Sequence, residues 1–269
     1  MSLPPLETVR ANGRAIAYRA AGDGPALVLL HGIGSGSASW APQIDALADR
    51  FRIVAWDAPG YGGSDPLPGD APPCSAYADA VGDLLDGLGL ARAHLLGHSL
   101  GGLIAACFAA RHPGRLESVA LSDAAAGYRN ASEEIRVGRL EARIAAMTTL
   151  GPAEVAKRRA REVLSPGAPD AIYDKVYAVQ SRVRPEGYAQ AARMLHGSDI
   201  FADAAAIRAP ALVMYGSEDS VTPEAIGRDI AAAIPGARYV TLEGLGHASY
   251  VEGPEAFNAA LTQFLDGLA

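Results

Sequence analysis

The chain has 269 residues, of which 49% are hydrophobic and 20% are charged, and its formal net charge is −7. This length and composition are typical of a globular enzyme with one large core, or with a core and a smaller attached unit. The acidic balance and the lack of a dense basic tract argue against nucleic acid or an anionic membrane as a partner.

Targeting and metal-binding signals are weak. The N-terminal residues have neither a basic start nor an apolar stretch, so we expect no signal peptide, and no segment approaches the ~20 apolar residues of a membrane span. Two cysteines, Cys74 and Cys107, are too few for a disulfide framework. Cysteine and histidine nowhere cluster with metal-ligand spacing, so we expect no bound metal. We expect a cytoplasmic protein.

Apolar runs predict seven strands, of which the first is an early antiparallel strand. The predicted strands cover residues 14–18, 26–30, 51–56, 93–96, 117–121, 211–215 and 237–242. Helical periodicity between them predicts helices at 41–49, 77–88, 100–111, 223–234 and 254–268. Strands that alternate with helices indicate a parallel α/β sheet covered on both faces, with ligands outside the carboxyl ends of the strands.

The stretch 130–196 breaks this alternation, because its periodicity is helical throughout. Gly-Pro and Arg-Pro pairs interrupt it at Gly151-Pro152 and Arg184-Pro185. An insertion at the carboxyl edge of such a sheet lies over the active site, so we predict a helical lid; a bundle packed elsewhere is the alternative. The predicted division is core for residues 1–125 and 204–269, and helical cap for residues 126–203.

The segment Gly97-His98-Ser99-Leu100-Gly101 joins a predicted strand to a predicted helix. A turn this sharp places a serine at its tip in a strained backbone conformation, and the glycines let neighbouring chains approach. The helix begins just after Ser99, so its free N–H groups and positive end point at whatever bonds to the serine oxygen. The pattern predicts a nucleophilic serine; the alternative is a glycine-rich turn that only packs a helix against a sheet.

A serine nucleophile needs a base within hydrogen-bond reach, itself oriented by a carboxylate. Of the six histidines, only His247 lies on a loop after the last predicted strand, so it is the predicted base. The carboxylate is expected after the strand 211–215, where Asp219 is preferred and Glu218 is the reserve. Asp123 is a rival, because it also ends a strand on the expected edge.

An oxyanion hole needs two backbone donors aimed where negative charge develops. We expect one to be the N–H of Leu100, the residue after the serine. The second is expected from the glycine-rich loop 31–37, where Ile33 is the natural donor. This loop lacks the GK[ST] ending of a phosphate-binding loop, which argues against nucleotide binding.

Several motifs, taken together, resemble the α/β-hydrolase superfamily with a helical cap. They occur in the family's order and spacing: His31-Gly32, Asp57-Ala58-Pro59-Gly60-Tyr61-Gly62-Gly63-Ser64, Gly97-His98-Ser99-Leu100-Gly101-Gly102, Gly216-Ser217-Glu218-Asp219 and Gly246-His247. Dehalogenases of the superfamily have an aspartate where this chain has Ser99. The chain is most similar to the branch of meta-cleavage-product hydrolases, enol-lactonases and carboxylesterases.

The resemblance implies a mostly parallel, doubly wound sheet with a helical lid inserted after the sixth strand. It also implies that Asp57 and its glycine loop are structural, and that His31 and His98 frame the site without acting as the base. The implied reaction is acyl transfer through Ser99, His247 and Asp219, without a cofactor, on a small ester, lactone or vinylogous diketone. A ligand receptor, a lyase or cofactor-free oxygenase, and a perhydrolase are the alternatives on this scaffold.

Substrate contacts and assembly are less explicit in the sequence. Arginines of the cap are candidates for binding a substrate carboxylate, although most arginines on a helical insert are solvated; these are Arg136, Arg143, Arg182 and Arg184. Apolar residues are candidates for the pocket walls, or for the core: Ile33, Trp40, Leu100, Met147 and Leu150. The sequence is compatible with a homodimer.

Overall fold

The computed structural model describes residues 3–268 and shows an eight-stranded sheet. The strands are β1 (Glu7–Ala11), β2 (Arg14–Ala21), β3 (Ala26–Leu30), β4 (Arg52–Trp56), β5 (Ala93–His98), β6 (Leu116–Ser122), β7 (Ala211–Gly216) and β8 (Arg238–Leu242). Their order in the sheet is β1-β2-β4-β3-β5-β6-β7-β8. Strands β3 to β8 are parallel, whereas β1 and β2 pair antiparallel. The fold class predicted from the sequence is therefore confirmed.

Helices connect the strands and cover both faces of the sheet. They are α1 (Ala41–Leu47), α2 (Cys74–Gly87), α3 (Leu100–Arg111), α4 (Glu133–Glu162), α5 (Asp170–Gln180), α6 (Pro185–Gly197), α7 (Phe201–Ala204), α8 (Glu224–Ala233), α9 (Ser249–Glu252) and α10 (Pro254–Asp266). In the described part of the chain, none of them has the length and apolar character needed to cross a bilayer.

Two apolar clusters lie on the two faces of the sheet. In β3, Val28 and Leu30 belong to the cluster that contains α2, α3 and α8 residues, whereas Leu27 and Leu29 belong to the cluster that contains α1 and α10 residues. This alternation follows from the two-residue period of a strand. It explains why the buried strands are continuously apolar in the sequence.

The sheet order reverses direction at β3, which has β4 on one side and β5 on the other. In an open α/β sheet this switch point leaves a crevice at the carboxyl ends of the strands. The loop 31–37 leaves β3 at this edge, and Ser99 follows β5 at the same edge. The topology therefore brings the two segments together.

Strand β1 was not predicted from the sequence. Its five residues, Glu7–Ala11, are exposed or only partly buried, and it pairs with β2 at the edge of the sheet. An edge strand with little burial carries almost no apolar signal, and this is the reason that the pattern missed it.

Helices α4 to α7 lie between β6 and β7, where the helical insert was expected. Gly151 interrupts α4 with φ +79° and is followed by Pro152, which agrees with the break indicated by the sequence. The boundary at 203/204 falls within α7, which packs against α3 of the core. The limits of the cap at 126–203 stay a prediction.

Candidate active site

Ser99 occupies the one-residue turn between β5 and α3, with φ 53° and ψ −115°. The turn is tight because a Cβ at Gly97 would lie 2.2 Å from the Gly101 carbonyl oxygen, and a Cβ at Gly101 would lie 2.1 Å from that of Leu30. Both positions therefore require glycine. Ser99 lines a large cavity, and its hydroxyl has no hydrogen-bond partner within residues 3–268.

His247 lies on the loop between β8 and α9 and lines the same cavity as Ser99. Its Nδ1 lies 2.8 Å from Oδ2 of Asp219. The carbonyl oxygen of His247 accepts a hydrogen bond of 2.8 Å from Nε2 of His98. Burial lowers the pKa of His98 to about 3, so His98 is a neutral donor that holds the loop of His247.

Asp219 follows β7 and its side chain is buried. Oδ1 accepts hydrogen bonds from the N–H groups of Val221 and Thr222, at 2.7 and 2.9 Å, which is an Asx turn. Oδ2 accepts a bond of 2.7 Å from the Thr222 hydroxyl and faces His247. Burial raises the pKa of Asp219, but His247 and the Thr222 hydrogen bonds outweigh it and lower the pKa below its usual value. Asp219 is therefore an ionised carboxylate beside the imidazole.

The other two acids that the sequence left open make different contacts. Glu218 is exposed, and only its backbone N–H is engaged, with the carbonyl of Leu245. Asp123 is fully buried with φ 47°; its Oδ2 accepts bonds of 2.6 Å from the hydroxyls of Ser122 and Ser249. The geometry places Asp219, and neither of these, against Nδ1 of His247.

Asp123 connects the loop of Asp219 with the loop of His247 through hydrogen bonds. Its Oδ1 accepts a bond of 2.8 Å from the N–H of Gly216, at the end of β7, and its Oδ2 binds Ser249, two residues after His247. Burial raises the pKa of Asp123 to about 7. Sequence reasoning identified Asp123 only as a rival acid and missed Thr222 and Ser249, whose hydroxyl contacts are visible only in three dimensions.

One cluster among the described residues has the composition of a metal site. Its potential ligand atoms, from Asp123, Asp219 and His247, lie within 4.8 Å of one another. The carboxylate oxygens of Asp123 and Asp219 already accept hydrogen bonds from hydroxyl and backbone N–H donors. We interpret the cluster as a hydrogen-bonded network around the imidazole.

The two backbone donors expected from the sequence lie on either side of Ser99. Leu100 is the first residue of α3, and a Cβ at Gly32, next to Ile33, would lie 3.2 Å from Cβ of Ser99. Within the described residues, the N–H groups of Ile33 and Leu100 have no acceptor. Two free N–H groups beside a serine are suited to bind a negatively charged oxygen.

The cavity has a volume of about 940 Å³ and reaches from the β-strand edge into the cap. The apolar part of its cap wall comes from α4, α5, α6 and the loop between α5 and α6: Met147, Val155, Val176, Val179, Val183, Tyr188 and Leu195. Arg143 and Arg182 line it, whereas Arg136 and Arg184 do not. The insert therefore covers the cavity that contains Ser99.

Some expected wall residues are placed differently. Ile33 and Met147 line the cavity as expected. Trp40 belongs to the core, which was the alternative for it: it is fully buried and packs on the ring of Tyr250 with 4.3 Å between centroids. The prediction for Leu150 was wrong, because it lies 60% exposed beside the kink of α4. Periodicity alone does not distinguish a core, a wall and a solvent-facing residue.

Comparison with known proteins agrees with this architecture. The alpha/beta hydrolase fold family matches residues 25–254. The chain is 31% identical over 254 residues to a putative carbamate hydrolase, RutD, of Caulobacter sp. (strain K31), covering 93% of each. It is 33% identical over 250 residues to a pimeloyl-[acyl-carrier protein] methyl ester esterase of Chromobacterium violaceum, covering 91% of this chain and 96% of that one.

A solved structure shows the same fold at full length. The enol-lactonase from Burkholderia xenovorans LB400 superposes with a TM-score of 0.86 at 32% identity, covering 97% of this chain and 100% of that chain. The family match, over residues 25–254, spans most of the chain and includes strands β3 to β8. The protein therefore belongs to the α/β-hydrolase family and is an α/β-hydrolase enzyme.

Proposed function

We propose that the protein is a serine hydrolase that transfers an acyl group through Ser99, His247 and Asp219. The observation that carries the proposal is the convergence of three separate loops on one cavity. Ser99 follows β5, Asp219 follows β7 and His247 follows β8, and His247 Nδ1 is 2.8 Å from Asp219. A nucleophile, an orienting carboxylate and a base, in this chain order, are the parts of a catalytic triad.

In the proposed mechanism, His247 accepts the proton of the Ser99 hydroxyl as the oxygen attacks the substrate carbonyl carbon. The N–H groups of Ile33 and Leu100 bind the oxyanion of the tetrahedral intermediate. The intermediate collapses to an acyl-enzyme when the imidazolium of His247 protonates the leaving group. Water then attacks the acyl carbon with His247 again as base, which releases the acid and restores the Ser99 hydroxyl.

Asp219 acts on the imidazole and not on the substrate. Because Nδ1 of His247 carries the hydrogen that Asp219 accepts, Nε2 is left as the basic nitrogen. The ionised carboxylate also stabilises the imidazolium that forms during each half of the reaction. Thr222 supports this arrangement, since its hydroxyl and its N–H both bind the carboxylate.

For the substrate we propose a small ester or lactone. The relatives described above are named an enol-lactonase, a methyl ester esterase and a putative carbamate hydrolase, and each name denotes a carbonyl with a heteroatom leaving group. The apolar cap walls favour an aliphatic or aromatic acyl group. These observations support an ester or lactone ahead of the vinylogous diketone, for which cleavage of a C–C bond would be required.

The test is a substrate panel with a covalent probe. We expect p-nitrophenyl acyl esters and lactones to be hydrolysed with incorporation of ¹⁸O from labelled water into the acid product. A fluorophosphonate should label Ser99, identified by peptide mass spectrometry, and the Ser99→Ala protein should not be labelled. Labelling elsewhere in a fully active enzyme would contradict the proposal, as would turnover without incorporation of water.

A further inference from the structure

Tyr61 contacts the backbone of the loop that is proposed to bind the oxyanion. Its hydroxyl donates a hydrogen bond of 2.5 Å to the carbonyl oxygen of Ile33. The side chain is only 1% exposed, and it lies in the turn 57–64 after β4. Burial raises the pKa of Tyr61 well above its usual value, so the hydroxyl keeps its proton and remains a donor throughout the working pH range.

The whole loop 31–37, which we call the oxyanion loop, is held by the turn 57–64. Three buried hydrogen bonds connect them: Ala58 N to His31 Nε2 at 3.0 Å, Tyr61 Oη to Ile33 O at 2.5 Å, and Ser37 N to Asp57 Oδ1 at 2.7 Å. Two of these bonds hold the ends of the loop, at His31 and Ser37. Only the bond from Tyr61 reaches the residue whose N–H is the proposed donor.

The peptide after Ile33 has fewer contacts than the peptide before it. The Gly32 carbonyl accepts a hydrogen bond of 3.1 Å from the N–H of Ser35. Within the described residues, the Ile33 carbonyl accepts one only from Tyr61. A Cβ at Gly32 would be 3.0 Å from Nδ1 of His98, so that position is tightly packed. At Gly34, in contrast, the nearest atom to an added Cβ is 3.9 Å away, in Gln180. Glycine loses more conformational freedom than any other residue when it is ordered, so the peptide between Ile33 and Gly34 needs a tether to stay in one orientation.

We propose that Tyr61 is a positioning residue for the oxyanion hole, whose hydroxyl holds the Ile33 carbonyl and keeps the Ile33 N–H directed at the oxygen that forms over Ser99. The N–H of Ile33 belongs to the peptide before its Cα, and the carbonyl that Tyr61 holds belongs to the peptide after it. Loss of this bond would release the Cα that the two peptides share, so the N–H could move away from the developing negative charge. The inference rests on the proposed function, because it concerns the oxyanion of acyl transfer.

The test compares Tyr61→Phe with Tyr77→Phe. Tyr77 is a matched control: it is fully buried in α2, does not line the cavity, and its hydroxyl has no hydrogen-bond partner within residues 3–268. Each variant is measured for kcat and KM on a p-nitrophenyl ester. Each is also measured for Ki of a trifluoromethyl ketone, which places an oxyanion in the hole, and for Ki of the product acid.

We expect Tyr61→Phe to lower kcat by about 10- to 100-fold with little change in KM, because a displaced donor costs less than the ~10²–10³-fold loss of a whole donor. The trifluoromethyl ketone should lose affinity by the same factor, and the product acid should not. Tyr77→Phe should change none of these values. A role in stability alone would lower the unfolding temperature of Tyr61→Phe without this selective loss for the ketone.

A second variant tests the same idea by restoring restraint. An alanine at Gly34 has room for its Cβ, so Gly34→Ala should limit rotation of the peptide and restore part of the kcat of Tyr61→Phe. The inference is overturned if Tyr61→Phe and Tyr77→Phe bind the ketone equally well. If Ser99 of the wild-type protein forms no adduct with the ketone, the proposed function fails, and the inference fails with it. This outcome is distinguishable from failure of the inference alone, because it is measured in the wild-type protein.

Discussion

Oδ2 of Asp219 lies 2.8 Å from Nδ1 of His247, and the side chains of this pair are 0% and 5% exposed. The carboxylate also accepts three hydrogen bonds from Val221 and Thr222, so it is both ionised and fixed in orientation. The pair therefore determines which imidazole nitrogen carries the hydrogen.

Replacing Asp219 with Asn should lower kcat by ~10³–10⁴-fold, because the amide favours the wrong imidazole tautomer. Glu218→Gln is the matched control: Glu218 is adjacent in the chain, but it is exposed, and within the described residues no hydrogen bond joins it to His247. Initial rates on one p-nitrophenyl ester are sufficient for the comparison. An equal loss in both variants would mean that the local loop, and not the carboxylate–imidazole pair, controls activity.

Asp123→Asn should cost less than about 10-fold in kcat, because the Asp123 carboxylate accepts hydrogen bonds from Ser249 and Gly216 and, within the described residues, none from His247. The rotatable hydroxyls of Ser122 and Ser249 can accept from an amide as well as donate to a carboxylate. A loss of kcat as large as that of Asp219→Asn would overturn the assignment of Asp219.

Asp123→Asn should also change how the free energy of unfolding depends on pH. Burial raises the pKa of Asp123 from 3.8 to about 7, so between these values the folded protein binds more protons than the unfolded chain. This contribution therefore destabilises the wild type as the pH rises from about 4 to 7. In urea unfolding, the stability of Asp123→Asn relative to wild type should increase over that window; a difference independent of pH would contradict the raised pKa.

Ser99→Ala should abolish turnover and leave the fold intact. The Ser99 hydroxyl has no hydrogen-bond partner among the described residues, and the side chain lies at the tip of a turn, so its removal creates neither an unpaired group nor a sizeable void. The burst of p-nitrophenol should disappear while the thermal unfolding midpoint is unchanged. Burst kinetics that persist in this protein would identify a different nucleophile.

Arg182 and Arg184 should have different effects, although they lie two residues apart. Arg182 lines the cavity, whereas Nη1 of Arg184 is 3.4 Å from the carbonyl oxygen of Ser64 and connects the cap to the turn 57–64. Arg182→Gln should raise KM for monoesters of dicarboxylic acids and leave KM for neutral esters unchanged. The lost contact between the guanidinium and the free carboxylate of such a substrate contributes about 1.5 kcal/mol at an exposed site. Arg184→Gln should affect both substrate types equally. Equal losses for both substrates in Arg182→Gln would assign Arg182 to the integrity of the cap.

His196 should make the fold less stable in acid. It is 1% exposed, its Nδ1 lies 2.8 Å from the carbonyl oxygen of Arg136, and burial lowers its pKa from 6.5 to about 4. Between these values the unfolded chain binds more protons, so stability falls as the pH falls through that window. His196→Asn keeps a donor near Nδ1 and does not titrate.

The difference in unfolding free energy between wild type and His196→Asn should therefore shrink as the pH falls from about 6.5 to 4. Asp123 and His98 also titrate differently in the folded protein, but they are present in both proteins and cancel in the difference. Parallel pH profiles for the two proteins would contradict the assignment.

Local pattern was sufficient for the strand–turn–helix at Ser99, the alternation of strands and helices, and the helical insert. These features depend on residues close together in the chain, because a strand period, a helix period and a glycine turn are each defined within a few residues. The membership of the α/β-hydrolase family follows from them, and the comparisons confirm it. The edge strand β1 was not predicted for the converse reason, because an exposed strand has little apolar pattern in the sequence.

Tertiary structure alone decided which acid faces His247 and how the oxyanion loop is held. Asp219 and Asp123 both follow strands at the same edge of the sheet. The three-dimensional contacts place Asp219 against the imidazole, whereas the carboxylate of Asp123 accepts a hydrogen bond from Ser249. Tyr61 and Ile33 are 28 residues apart, and no local pattern pairs them. A hydrogen bond between distant loops depends on distances of tenths of an ångström, which a packed interior specifies and a sequence pattern does not.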